Sequence, residues 1–195
     1  TATMIWKPDS GSAVDATTAK TIQPELEKIA ALDGVACVTN PFATAAGLEA
    51  QKAGQAAAAA AAKAKAAGAA AQAAAAQGGA AAQAAQQAAA QAASEAQAAG
   101  QAAQDAAAKA KAAGPAGYGD GCPKAQTAPD LSKVPAAELP AYLKAIEAAT
   151  KATSPISADG TVAYSTITFD SKDGDVPVET AKTIISNVKD LNAAD

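Results

Sequence analysis

Apolar and polar positions change rhythm three times along this chain of 195 residues. The opening "TATMIWKP" alternates and carries Ile5 and Trp6, the period of a strand, which ends at the turn "PDSG" (Pro8–Gly11). In "SAVDATTAKTIQPELEKIAALDGV" the apolar side chains Val14, Ile22, Leu26 and Ile29 recur with Thr18 at helical steps, and Gly34 stops the run. Pro24 inside it implies either a kink or a later helix start. "VACVTNPF" then reads as a second short strand closed by Asn40-Pro41.

From Thr44 to Gly114 the pattern is alanine interrupted by Gln and Lys. At about 100° per residue, the polar side chains of the second arm, from Gln83 to Lys111, fall within roughly 200° of a helical wheel. The remainder of that wheel is Ala and Gly100. Gln51, Lys52, Gln55, Lys63, Lys65 and Gln72 behave alike in the first arm, with Glu49 just off the edge. Alanine is the best helix former, so each arm is expected to be helical over about 33 residues, about 50 Å. A break at Gly78-Gly79 predicts an antiparallel helical hairpin with its two bare alanine faces packed together. The stretch "GQAAAAAAAKAKAAG" from Gly54 returns as "GQAAQDAAAKAKAAG" from Gly100.

Beyond the hairpin, "CPKAQTAPDLSKVPAAELP" carries prolines, and Leu139, Leu143 and Ile146 mark a short helix. "TVAYSTITFD" alternates as a strand after the Asp159-Gly160 turn. "VPVETAKTIISNVKDLNAAD" is an amphipathic helix with Pro177 in its first turn and an inner face of Val178, Ala181, Ile184, Ile185, Val188 and Leu191. The order predicts an α+β fold, a split β-α-β ferredoxin-like half-sheet whose last strand lies beyond Asp195.

Composition sharpens this division. Half of the residues are apolar but only 3% are aromatic, so large core-forming side chains lie before about Leu48 and after about Leu131. The globular part is then roughly 110 residues. An alanine seam buries little area, which makes the hairpin marginal unless its base is tied. Cys37 and Cys122 stand at its two feet. A disulfide there closes a long loop and implies an oxidising, extracytoplasmic setting; the alternative is two unpaired thiols.

The formal net charge of −4 offers no footprint for nucleic acid, and no Lys/Arg cluster suits an anionic membrane surface. No run of about 18 strongly apolar residues is present. The start at Thr1, without a signal-like segment, suggests either a cytosolic chain or an excised piece of a larger one. Histidine is absent, which removes imidazole metal sites and His-based triads. Asp170, Asp173 and Asp175 lack calcium-loop spacing and read as turn and cap residues. Neither Gly78-Gly79 nor "GYGDG" has the strand–loop–helix context of a phosphate cradle, and Trp6 reads as core. No enzyme, metal or cofactor is expected.

The ends carry a resemblance. "IWKPDSG", "ALDGVACVTNPF", "SPISADGTVAYSTITFD" and "ETAKTIISNVKDL" resemble the first extracytoplasmic loop of MMPL-type exporters of the RND superfamily, as found in actinobacteria. Ser10 intervenes where that family's turn is a tighter Pro-Asp-Gly, and the alanine hairpin is not part of the family's common core. The resemblance implies an extracytoplasmic porter domain of a proton-driven exporter of lipids, drugs or other hydrophobic compounds. Residues 1–43 and 154–195 are then the two halves of the porter subdomain, 44–114 the hairpin insertion, and 115–153 a return loop with the short helix. The implied partners are the membrane helices and second porter domain of the same exporter, its hydrophobic cargo, and a homo-oligomer or cell-envelope partner met through the hairpin. Proton-relay residues would lie in the membrane helices. Two other classes compete: an extracellular stalk or adhesion module without transport, and an ice-binding surface, which would need regularly spaced Thr that neither arm has between Ala45 and Gly114.

Overall fold

A computed structural model describes residues 1–123, 154–170 and 176–192, together with the helical pairs 141–142, 144–145 and 148–149. Leu139, Leu143 and Ile146 of the expected short helix lie outside the described residues, as do Asp173 and Asp175. The chain divides into two compact units, Thr1–Thr44 with Pro115–Asp195, and Ala45–Gly114.

The first unit is α+β. Its four-stranded sheet comprises β1 (Ala2–Trp6), β2 (Val35–Thr39), β3 (Gly117–Tyr118) and β4 (Ala163–Phe169) in the spatial order β1-β4-β2-β3. Every neighbouring pair is antiparallel, with Met4 opposite Ser165 and Val38 opposite Ile167. β1 and β2 therefore run parallel to one another with β4 between them, and α1 (Ala16–Ala30) makes the crossover. A helix after β4, α4 (Val178–Asn192), completes the element order.

Strand alternation decides what enters the core. Ala163, Ser165 and Ile167 are buried on β4, while Tyr164 is exposed on its other face. Ile167, with Met4 and Val38, meets Ile22, Leu26 and Ile29 of α1, Ile184 of α4, and Phe42. Trp6 is half-buried, stacks on Phe42 at 5.8 Å between ring centroids, and donates its indole N–H to the Ala13 carbonyl at 2.8 Å. Both the apolar body and the polar edge of Trp6 are thus used inside this unit.

One expectation about the last helix needs correction, and one of the two outcomes expected at Pro24 falls away. Val178 and Ile185 of the expected inner face of α4 are 65% and 54% exposed. They stand roughly 80–100° round the wheel from the stripe of Ala181, Ile184, Val188 and Leu191. Thr180 is buried instead, its hydroxyl donating to the Asp33 carbonyl at 2.9 Å. Pro24 does not delay α1, which starts at Ala16 behind the cap residue Asp15. Asp15 Oδ1 accepts from the amides of Thr17 and Thr18, two of the donors that a helix start leaves without partners.

In the second unit, the long helix α2 (Pro41–Ala75), which starts in the first unit, continues from Ala45. The turn at Ala76–Gly78 leads into α3 (Gly79–Ala112). Gly78 and Gly79 have φ of +68° and +79°, a region where glycine carries no steric penalty. Buried and half-buried positions recur in α2 at Ala46, Ala50, Ala53, Ala57, Ala60, Ala64, Ala67, Ala71 and Ala74. In α3 they recur at Ala82, Ala85, Ala89, Ala92, Ala96, Ala99, Ala103, Ala106 and Ala110. These alternating three- and four-residue steps follow the spacing of a coiled-coil seam and are occupied by alanine, while Leu48, Gln51, Gln55, Gly68 and Gly100 beside them are half-buried too. Lys63 Nζ donates to Glu95 Oε2 at 2.7 Å, linking α2 to α3.

Candidate functional site

The sequence offered no catalytic constellation, so the candidate site is the neck where the alanine segment leaves the sheet and returns. Asn40 follows β2 and precedes Pro41, which occupies the first helical position, where its missing N–H costs nothing. The α2 helix therefore begins three residues ahead of the expected Thr44. Asn40 is fully buried. Its Oδ1 accepts from the amides of Phe42 at 3.1 Å and Ala43 at 3.4 Å, capping α2. Its Nδ2 donates to the Pro115 carbonyl at 2.9 Å and to Tyr118 Oη at 3.2 Å. Its backbone N–H donates to the Ala116 carbonyl at 2.8 Å. One side chain thus closes the departing helix start and grips the returning chain.

The returning segment is stapled twice more. Val38 and Thr39 pair with Tyr118 and Gly117 as β2 and β3. The expected disulfide is present between Cys37 and Cys122, 85 positions apart in sequence, with Cα atoms at 4.8 Å. The glycines of "GYGDGC" are explained here. β2 bulges between Val35 and Cys37, and the carbonyl of Ala36 accepts from the Gly121 amide at 3.0 Å. A Cβ on Gly119 would lie 2.5 Å from that carbonyl oxygen, and one on Gly117 would lie 2.7 Å from Cys122 Sγ. Close backbone approach, not phosphate binding, is what these glycines serve.

Electrostatics distinguish few groups. Burial, with the Glu27 carboxylate nearby, pushes the Tyr118 phenol above its ordinary value, so it stays protonated as a hydrogen-bonding group of the neck. The Thr18 amide, with further donors from Thr18, Ser12 and Thr17, lowers the Asp15 carboxyl despite some desolvation. Asp159 is lowered to about 2, first by the Ser157 hydroxyl and then by the Thr161 amide. These two acids organise turns: Ser157 Oγ donates to Asp159 Oδ1 at 2.6 Å, and the Gly160 carbonyl beside it accepts from the Ala13 amide at 2.8 Å.

An open cleft beside the neck is lined by Asp33, Asp120 and Asp170 with Gly34, Val35 and the glycine loop. Among the described residues, no group of three His, Cys, Asp or Glu side chains could hold a metal ion. Asp170, the described member of the acidic trio, uses its amide on the Gly34 carbonyl at 2.9 Å and so ends β4. Among the described residues, no helix is long and apolar enough to cross a membrane.

Sequence reasoning found the two cysteines and missed Asn40. The signal available was Asn-Pro directly after a strand and before a helix-forming run, the pattern of a cap followed by a first-turn proline. No family model matches the chain, and neither curated proteins nor solved structures provide a match.

Proposed function

We propose that residues 1–43 and 154–195 form the two halves of a ferredoxin-like split β-α-β porter subdomain of an MMPL-type, proton-driven exporter of hydrophobic compounds, lying outside the bacterial inner membrane. In this reading α2 and α3 are an antiparallel helical hairpin inserted between the halves, reaching outward to meet an envelope partner or a neighbouring subunit. The observation that carries it is the strand order: β4 lies between β1 and β2, and α1 and α4 follow β1 and β4. This order supports a split β-α-β reading, in which a later strand is placed between the first two. For the hairpin, support comes from the Lys63–Glu95 ion pair, whose residue numbers sum to 158, close to the 157 implied by folding at Gly78-Gly79.

A stalk or adhesion module without transport is the second reading, favoured by two helices of 35 and 34 residues braced at their feet by a disulfide. The test is efflux of a lipophilic dye from cells whose copy of the gene has been deleted. Re-expression of the full-length product should restore efflux, and a version with residues 45–114 replaced by a short Gly/Ser linker should reach the membrane without restoring it. Full efflux from the shortened version removes the contact role of the insertion. A full-length product that does not alter efflux at all removes the transporter reading and leaves the stalk.

A further inference from the structure

The alanine unit contains a duplication longer than its most visible core. Residues 49–68 and 95–114 are identical at 17 of 20 positions, an offset of 46. The offset carries the half-buried positions Ala50, Ala53, Ala57, Ala60, Ala64 and Ala67 onto Ala96, Ala99, Ala103, Ala106, Ala110 and Ala113, which are half-buried as well. It also carries Lys63 onto Lys109 and Glu49 onto Glu95. The observed ion pair joins Lys63 to Glu95, and the same register sets Glu49 opposite Lys109. Among its charges, each repeat therefore has an acid and, fourteen positions on, a base (Glu49 and Lys63, Glu95 and Lys109) that complement the base and acid of the other repeat.

A segment that complements its own duplicate also complements the same segment of another molecule. The seam adds no discrimination, since its alanines offer no knob that fits one partner and rejects another. At the tip, a Cβ on Gly78 or Gly79 would meet nothing within 4 Å, so no neighbour crowds these two positions of the turn. We propose that the repeated segment is a self-recognition element whose partner is a second copy of this chain, taken up by exchange of helical arms after opening at Gly78-Gly79. Exchange of identical elements keeps every seam contact and the Lys63–Glu95 pair, now between chains, and still sets Glu49 against Lys109. The proposal rests on the hairpin reading of α2 and α3.

Its test uses two variants of the full chain. One carries Glu49→Lys with Glu95→Lys, the other Lys63→Glu with Lys109→Glu. Each repels itself within and between molecules, and only a mixture pairs unlike charges. Native mass spectrometry should find each variant monomeric alone and a one-to-one heterodimer after the two are unfolded and refolded together. Wild type refolded at high concentration should contain a dimer fraction as well. A mixture that stays monomeric overturns the proposal. Spin labels at Ala66 and Gln91 in dilute wild type separate the two ideas: a short distance with a monomeric mixture leaves the hairpin and removes the exchange, whereas a long distance removes both.

Discussion

The two units of this molecule reach order by opposite means. In the first, side chains as large as Leu26, Ile29, Val38 and Ile167 are almost wholly removed from water around one sheet. In the second, described from Ala45 to Gly114, burial reaches only Ala71, Ala82 and Ala92. A fully buried Leu or Ile contributes about 1.5–3 kcal/mol, whereas a buried alanine methyl contributes under about 1 kcal/mol. The first unit thus rests on packing and on the tie between Cys37 and Cys122, and the second on helix propensity and seam regularity.

The largest expected effect is on that tie. Cys37→Ser with Cys122→Ser frees a loop spanning 85 positions, which the loop-entropy estimate puts at roughly 4 to 5 kcal/mol. Chemical denaturation followed by Trp6 fluorescence should show this loss in the first unit, with most of the helical circular dichroism retained. Equal loss of helix would make the two units one cooperative block and dissolve the contrast. Leu26→Ala comes next, at about 2–5 kcal/mol, because Leu26 is fully buried in the cluster with Ile29 and Ile167. The same experiment reads it, and a loss below about 1 kcal/mol would mean that the core is not what holds this unit.

How much of this was legible in the sequence follows the same contrast. The alanine unit is read almost entirely from local pattern, since propensity and a three-four seam are properties of neighbouring residues. β4 was legible too, because alternation is local. The neck was legible only where chemistry is distinctive: two cysteines in the chain announce a pair, but Asn40 looks like any turn asparagine until Pro115 and Tyr118, 75 and 78 positions later, come to meet it. The glycine loop hid for the same reason, because what excludes a Cβ at Gly119 is the distant carbonyl of Ala36. Val178 and Ile185 misled because hydrophobicity marks an apolar residue without giving the angle at which the helix docks.

Glycines inside the helices sharpen the comparison at a smaller scale. Gly54, Gly68 and Gly100 interrupt alanine runs, and a Cβ at any of them meets nothing within 4 Å. Replacing each by Ala should stabilise the second unit by about 0.5–1 kcal/mol per site, visible as a higher melting temperature of the helical signal. The reverse holds in the first unit, where Gly119→Ala meets the Ala36 carbonyl at a φ of +109° and should destabilise the neck. Stabilisation at Gly119, or none at Gly100, would contradict the division.

Acid should act on the first unit through Asp15 and Asp159. Both carboxyls are held below their unfolded values, so their contribution is present above the ordinary aspartate range and is lost as pH falls through the folded values, about 2 for Asp159. Between pH 4 and pH 2 wild type should therefore lose stability faster than Asp159→Asn, a variant that no longer titrates there. Parallel acid titrations of the two would remove the role assigned to the Ser157–Asp159 turn.

The smallest effect expected is also the one that speaks to register. Lys63 and Glu95 are exposed, with 66% and 57% of their side-chain surfaces open to water, so their ion pair contributes about 0.2–1 kcal/mol and weakens as salt screens it. A double-mutant cycle with Lys63→Ala and Glu95→Ala, read on helix melting, isolates the pair term from the helix propensity that both substitutions also change. The same cycle on Glu49 and Lys109 should return a coupling of the same sign if the proposed antiparallel register sets them opposite one another. Controls on Lys65 with Glu95 should return none, because that pairing falls out of register. Coupling at the first pair alone would confine regular pairing to the half of the unit near the Gly78-Gly79 turn. Coupling at both extends it across both repeats, so that a segment with almost no core is aligned along its length by two weak, complementary pairs.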